Sequence, residues 1–310
     1  MGHLVNILFI STWLSGCTFT GEHQSVILNA EPIQANILLM EPELSRFEAR
    51  GPFEVSERLD REVTLNLDQT VAVDHFSART EDKLPIVVIS HGNYSSKKAH
   101  RSQARDLASW GFHVVAFEVP NRDQWLENGV RLRQFTDLLH RMPAILGEGA
   151  DGGRIIIVGH SFGGSAAVLA MAGGAPVMGA VLLDPAVVHS SVVAAMKAID
   201  LPVVLLGADR KVFSARGRAK FSATLAGEML EVSVPKATHD DAQGPSMFSR
   251  SALGFDPFTS GRRQAVFRSM LTVAVLGLSS SGTLDFPARI FIREEKEGRL
   301  KSLAYQQKLP

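Results

Sequence analysis

The chain is poor in cysteine, in net charge and in long apolar runs, and each shortage removes a class of protein. One cysteine in 310 residues can close no intramolecular disulfide and cannot supply the thiolates of a structural zinc site. Lysine and arginine together number 32, as do aspartate and glutamate, and no long basic run breaks the balance, so a nucleic-acid partner is not expected. No internal stretch reaches the ~18–20 uninterrupted apolar residues of a membrane-spanning helix. Neither a His-x-x-x-His pair nor an acidic ligand loop occurs, and no metal or other cofactor is expected.

What remains is 45% hydrophobic and 21% charged, the balance of a globular protein with a full-sized core. At this length one large α/β domain or two smaller ones are both ordinary.

The N-terminal segment Met1 to Cys17 carries an apolar run from Leu4 to Leu14 that is too short to span a bilayer. Its end, Leu14-Ser15-Gly16-Cys17, resembles the lipobox of bacterial lipoproteins, in which the cysteine is acylated and becomes the new N-terminus. That resemblance implies an exported protein held at a membrane surface, periplasmic or on the cell surface, through Cys17. The segment departs from the pattern in having His3 but no Lys or Arg ahead of the apolar run; a cleaved signal peptide or an apolar N-terminal helix are the alternatives.

Residues 18–50 hold Glu31-Pro32 and Glu41-Pro42 and no sustained apolar period, so a tether or loosely packed lead-in is expected. From residue 51 the pattern becomes strand-like, with Val63, Leu65 and Leu67 alternating against polar neighbours, then Val71 and Val73 after a turn. Ile86-Val87-Val88-Ile89 is a continuous branched run suited to a parallel strand buried on both faces. Strand and helix then alternate: a helix near Lys97 to Trp110, a strand at 112–117, a helix with Leu132, Phe135, Leu138, Leu139 and Met142 on one stripe, and strands at 154–158, 179–183 and 203–207. Such alternation over residues 51–280 predicts one doubly wound, mostly parallel α/β sheet with helices on both faces. For residues 281–310 a hairpin about Lys296-Glu297-Gly298 or a charged tail is expected.

Chemistry enters at Arg154 to Gly164, where a strand runs into Gly159-His160-Ser161-Phe162-Gly163 and then into a helix of small residues. A serine on so tight a strand-to-helix turn projects its hydroxyl into the open, and side chains two positions away would collide, which is why glycine stands there. A serine nucleophile needs a base, and the base needs an acid that fixes its tautomer. His239 follows the last core strand and is the candidate base, with His189 as its competitor; Asp184 and Asp209 end consecutive strands and compete as the acid. Oxyanion donors are expected from the Phe162 amide, directly after the serine, and from the Asn93 amide in Ser90-His91-Gly92-Asn93.

Three stretches together, Val88 to Gly92, Asp106 to Phe112 and Gly159 to Gly164, resemble the platelet-activating-factor acetylhydrolase and dienelactone-hydrolase-like α/β-hydrolases over about residues 51–245. The resemblance implies the α/β-hydrolase fold, a calcium-independent carboxylic ester hydrolase acting on short or truncated acyl esters, and a triad of Ser161, Asp184 and His239. A related group of bacterial cutinases and polyester hydrolases resembles Leu206 to Asp209, but its acid aligns where this chain has Lys211. A cutinase-like polyester hydrolase, and a catalytically silent α/β-hydrolase that binds lipid or peptide as a lipoprotein, are the rival readings.

Overall fold

Among the described residues nine strands, whose side chains point alternately to two hydrophobic layers, form a single sheet in the order β1-β2-β4-β3-β5-β6-β7-β8-β9. They are β1 (Val55–Asn66), β2 (Gln69–Ala78), β3 (Leu84–Ser90), β4 (His113–Phe117), β5 (Ala150–His160), β6 (Gly179–Leu183), β7 (Val203–Ala208), β8 (Met229–Val234) and β9 (Lys301–Gln306). The computed structural model describes residues 30–40, 42–66, 69–119, 124–209, 217–244 and 259–307. Cys17 and Lys211, on which two of the expectations above fall, lie outside these residues.

Strands β3 to β8 run parallel, while β1, β2 and β9 are antiparallel to their neighbours at the two edges. The period-2 geometry of a strand sends Val87, Ile89, Ile156, Val158, Val204 and Leu206 to one face and Ile86, Val88, Ile155, Ile157, Val203 and Leu205 to the other. Both faces are dry, so the strands read as continuous apolar runs. The helices divide accordingly. The α1 (Ala30–Met40), α2 (Arg101–Ser109), α7 (Gly261–Ser281) and α8 (Asp285–Lys296) helices cover the first face. The second is covered by α3 (Trp125–Arg141), α4 (Phe162–Ala172), α5 (Ser190–Met196) and α6 (Arg218–Ser222).

Two segments differ from the sequence reading. In place of a loose lead-in, residues 30–40 form α1 and Leu44–Glu48 a 3-10 turn, and Leu44 and Phe47 are buried. Phe47 packs 5.0 Å from the Trp110 ring, while Gln34 donates to the carbonyls of Trp110 and Gly111 at 3.0 and 3.1 Å. Three turns of helix are too short to display a period, and the anchoring partners lie far along the chain. The C-terminal stretch is likewise no hairpin: Ala288 to Glu294 lies in α8, whose Phe286, Ile290, Phe291 and Glu294 are buried on one side, and only β9 is a strand, paired with β8. Gly298, at φ 72°, reverses the chain between them, a conformation natural to glycine.

Candidate active site

All the candidate residues lie at the carboxyl ends of the parallel strands, the edge at which open α/β sheets hold ligands. Ser161 follows β5 directly and adopts φ 54°, ψ −121°, a strained backbone for a side-chain-bearing residue, of order ~1–3 kcal/mol. The turn is held on both sides: the Ser161 amide donates to Leu183 O (3.0 Å), and the Ala186 and Gly164 amides donate to Ser161 O, each at 3.0 Å. A Cβ on Gly159 would overlap the Gly163 carbonyl, and one on Gly163 would overlap the carbonyls of Ser90 and His91. Only glycine lets strand, serine and helix come this close.

His239 and Asp184 meet from different strands. Asp184 ends β6, with its amide donating to Leu206 O at 2.8 Å, and its Oδ2 lies 2.6 Å from His239 Nδ1. Its other oxygen accepts the Ala208 amide at 3.0 Å and sits 3.6 Å from Arg218 Nη1. His239 opens a 3-10 turn (His239–Ala242) capped by Thr238, whose amide and hydroxyl both donate to Asp241 Oδ2 at 2.8 and 3.0 Å. Asp241 in turn accepts from Arg263 and from the Ser260 amide at the start of α7. The His239 ring lies 4.8 Å from that of His160, the residue before Ser161, and His160 Nε2 is 3.3 Å from the His239 carbonyl. His239 is thus fixed beside the turn that carries the serine.

The competitors are engaged elsewhere. His189 is the N-cap of α5, where its Nδ1 accepts the Ser191 amide at 3.2 Å. Asp209 accepts the Lys236 amide at 3.0 Å and Lys301 Nζ at 3.3 Å. These two partners hold its carboxyl below the ordinary aspartate range.

The loop after β3 reaches the serine from the opposite side. A Cβ added to Gly92 would come within 2.6 Å of Ser161 Cβ, which measures how closely Gly92-Asn93 approaches. Asn93 Oδ1 accepts the Tyr94 amide at 3.1 Å. Phe162 heads α4, the helix end at which backbone N–H groups face outward. Its ring meets Trp125 edge-on at 5.5 Å.

The sequence reading missed two supports. Behind the acid, Arg218 spans Asp184, the Ala208 carbonyl (2.8 Å) and Glu231 (2.5 Å). Beneath the Gly92 loop, His91 donates from Nδ1 to Gly92 O (2.8 Å), and its Nε2 lies 3.1 Å from both the Val119 amide and Glu118 Oε1. Glu118 also accepts the Lys97 amide at 3.0 Å, and the buried Lys97 ammonium pairs with Asp60 and, at 2.7 Å, with Asp74. Burial alone would raise the Glu118 carboxyl; hydrogen bonds from His91 and Lys97 hold it below its ordinary range. No motif marks these residues, because their partners are brought together only by the sheet.

A model of the alpha/beta hydrolase family matches residues 86–301, well over half of the chain. No curated protein matches it.

Proposed function

The chain belongs to the alpha/beta hydrolase family, and from that premise we propose that it is a serine carboxylic ester hydrolase working through Ser161, His239 and Asp184. The observation that supports this most is the 2.6 Å contact between His239 Nδ1 and Asp184 Oδ2 beside a serine held in the strained strand-to-helix turn. With Nδ1 occupied by the carboxylate, His239 Nε2 is the nitrogen left to take a proton. In the reaction proposed, Nε2 removes the Ser161 hydroxyl proton as Oγ attacks the ester carbonyl. The amides of Phe162 and Asn93 stabilise the oxyanion. Collapse expels the alcohol, which leaves with the proton from His239. Water then repeats the sequence on the acyl-enzyme and frees the acid.

Short or truncated acyl esters are the proposed substrates. The resemblance drawn from the sequence favours them, and the chain passes from Asp184 into α5 at Ser190, leaving little length there for a lid. Two measurements test the reading together. The protein is expected to label with a fluorophosphonate probe, and to hydrolyse p-nitrophenyl esters with kcat/KM falling from butyrate to palmitate. Absence of labelling in folded protein would move the reading to a binding module, and a maximum at palmitate would overturn the acyl preference.

Arg218 is a positioning residue in this scheme: its guanidinium stands 3.6 Å from the acid and its side chain is 12% exposed. Replacing it by glutamine in an Arg218→Gln/Glu231→Gln pair, which leaves no uncompensated Glu231 carboxylate, should lower kcat about tenfold with KM unchanged, the scale of one partly buried charge–charge contact of ~1.4 kcal/mol. Arg218→Lys should recover most of it. A rise in KM with kcat unchanged would mean that Arg218 acts on substrate binding instead.

We further propose that Cys17 carries the lipid that holds the enzyme at a membrane surface. Metabolic labelling with a radioactive fatty acid in a bacterial host should be lost in Cys17→Ser; labelling retained in that variant would sink the assignment.

A further inference from the structure

At the opposite end of the sheet from Ser161, a cavity of about 470 Å³ opens between α1, the Leu44–Glu48 turn and Trp110, within the ~300–1,000 Å³ range of small-molecule sites. Trp110 ends α2 and leads into the start of β4, whereas Ser161 follows the end of β5. An occupant of this cavity therefore need not compete with a substrate at the serine.

Its lining divides by chemistry. Ile33, Ile37, Met40, Pro42, Pro52 and Trp110 provide an apolar wall. Among the described residues the polar lining is Asn36, Arg46 and Arg50, with no acidic residue. Most arginines among the described residues are spent on carboxylates or carbonyls, as in Arg101 with Asp74, Arg154 with Asp151 and Arg263 with Asp241. Among the described residues, neither the Arg46 nor the Arg50 guanidinium has a hydrogen-bond or ion-pair partner. Arg50 acts on Glu57 and on the buried Asp106 only through space. Two unpaired guanidiniums over an apolar cavity suit one kind of ligand, since the planar fork matches a carboxylate or phosphate and the cavity removes hydrocarbon from water. The end of α1 adds to this, with Leu39 81% and Met40 74% exposed, large apolar side chains placed beside the opening.

We propose that this cavity is a second binding site, taking an anionic amphiphile with one hydrocarbon chain between α1 and Trp110 and its head group on Arg46 and Arg50. The same chemistry can come from a dissolved long-chain carboxylate or from an anionic lipid in a bilayer, and the experiment separates them.

The full chain carrying Cys17→Ser, in which no acyl anchor contributes, is tested by equilibrium dialysis with radiolabelled dodecanoate below its micelle concentration, and by co-sedimentation with phosphatidylglycerol and phosphatidylcholine vesicles. Two variants are compared: Arg46→Ala/Arg50→Ala, which keeps the cavity, and Ala49→Trp, which fills it from the remaining lining residue, Ala49. Dodecanoate should bind at one site, at least tenfold more weakly in the arginine variant and not at all in the filled one, with p-nitrophenyl ester hydrolysis unchanged in both. Dodecanol should bind the arginine variant as it binds the parent. Sedimentation with phosphatidylglycerol vesicles alone, lost in the same variants, would support the site and identify bilayer lipid as its source. Dodecanoate binding retained by the arginine variant, or no binding to dodecanoate or to phosphatidylglycerol, overturns the proposal. The arginine variant changes only exposed residues, so a misfolded Ala49→Trp would not rescue it.

Discussion

Asp184→Asn is expected to lower kcat for p-nitrophenyl butyrate by about 10³–10⁴-fold, and Asp209→Asn to leave it within about twofold. An amide at position 184 can donate where the carboxylate accepts, so His239 would be driven to the tautomer in which Nδ1 accepts and Nε2 already carries the proton, leaving no lone pair to take the one on serine. Asp184 accepts the Ala208 amide through its other oxygen at 3.0 Å, so the one carbonyl oxygen left in the asparagine stays on that amide and its nitrogen is directed at His239, with the shape preserved. Asp209 holds Lys236 N and Lys301, and losing its charge alters a partly exposed contact worth ~0–1 kcal/mol. Ser161→Ala should fall at least as far as Asp184→Asn and should abolish fluorophosphonate labelling. Equal losses at both aspartates would show that the acid is shared between them, and a loss at Asp209 alone would reverse the assignment.

The second large effect is on stability below neutral pH. His75 and His113 are buried side by side on β2 and β4, with Nε2 of one 3.1 Å from Nδ1 of the other and rings nearly parallel. One proton between the two nitrogens satisfies both, so the neutral pair is stable. A second proton would be isolated from water and face its neighbour and the charges of Arg61 and Arg58. Burial, with those neighbours, pushes His75 down to about 3, and burial and Arg58 push His113 down to about 4. In the unfolded chain both titrate near 6.5. Between pH 6.5 and about 4 the unfolded state therefore takes up two protons that the folded state refuses, and folding stability must fall as pH falls through that window. The two groups together cost about 4 kcal/mol by pH 5 relative to pH 8, on a scale of ~1.4 kcal/mol per group per pH unit. Above pH 7 the pair contributes no slope. Urea unfolding of the parent and of His75→Leu/His113→Leu from pH 5 to pH 8 measures this, because the difference between them removes every other titrating group. A difference that does not change with pH would show that the pair is protonated in the fold.

How far the sequence could be read follows from where each signal resides. The parallel strands were legible because burial on both faces writes an uninterrupted branched run, as in Ile86 to Ile89 and Ile155 to Val158. The turn at Ser161 was legible because its steric requirements select glycine at fixed offsets. The α7 helix was not: it is buried on nearly every side from Gln264 to Ser279, so it has no polar face to generate a period. In residues 288–294 apolar and charged residues fit a strand or a helix, and the hairpin expected there gives way to α8 because packing beneath Leu44 and Phe47 favours one covered side.

Local rules, then, determined the class of sheet, the strained serine and a short set of acids and bases at strand ends, since each is imposed by the few residues around it. Tertiary structure decided the rest. It put Asp184 rather than Asp209 against His239, and set Arg218 behind that acid and Glu118 beneath the Gly92 loop. It also turned α1 and the Leu44–Glu48 turn into one wall of a cavity. These outcomes depend on distances between residues tens to hundreds of positions apart, and such distances are fixed by strand order and register, which no local pattern encodes.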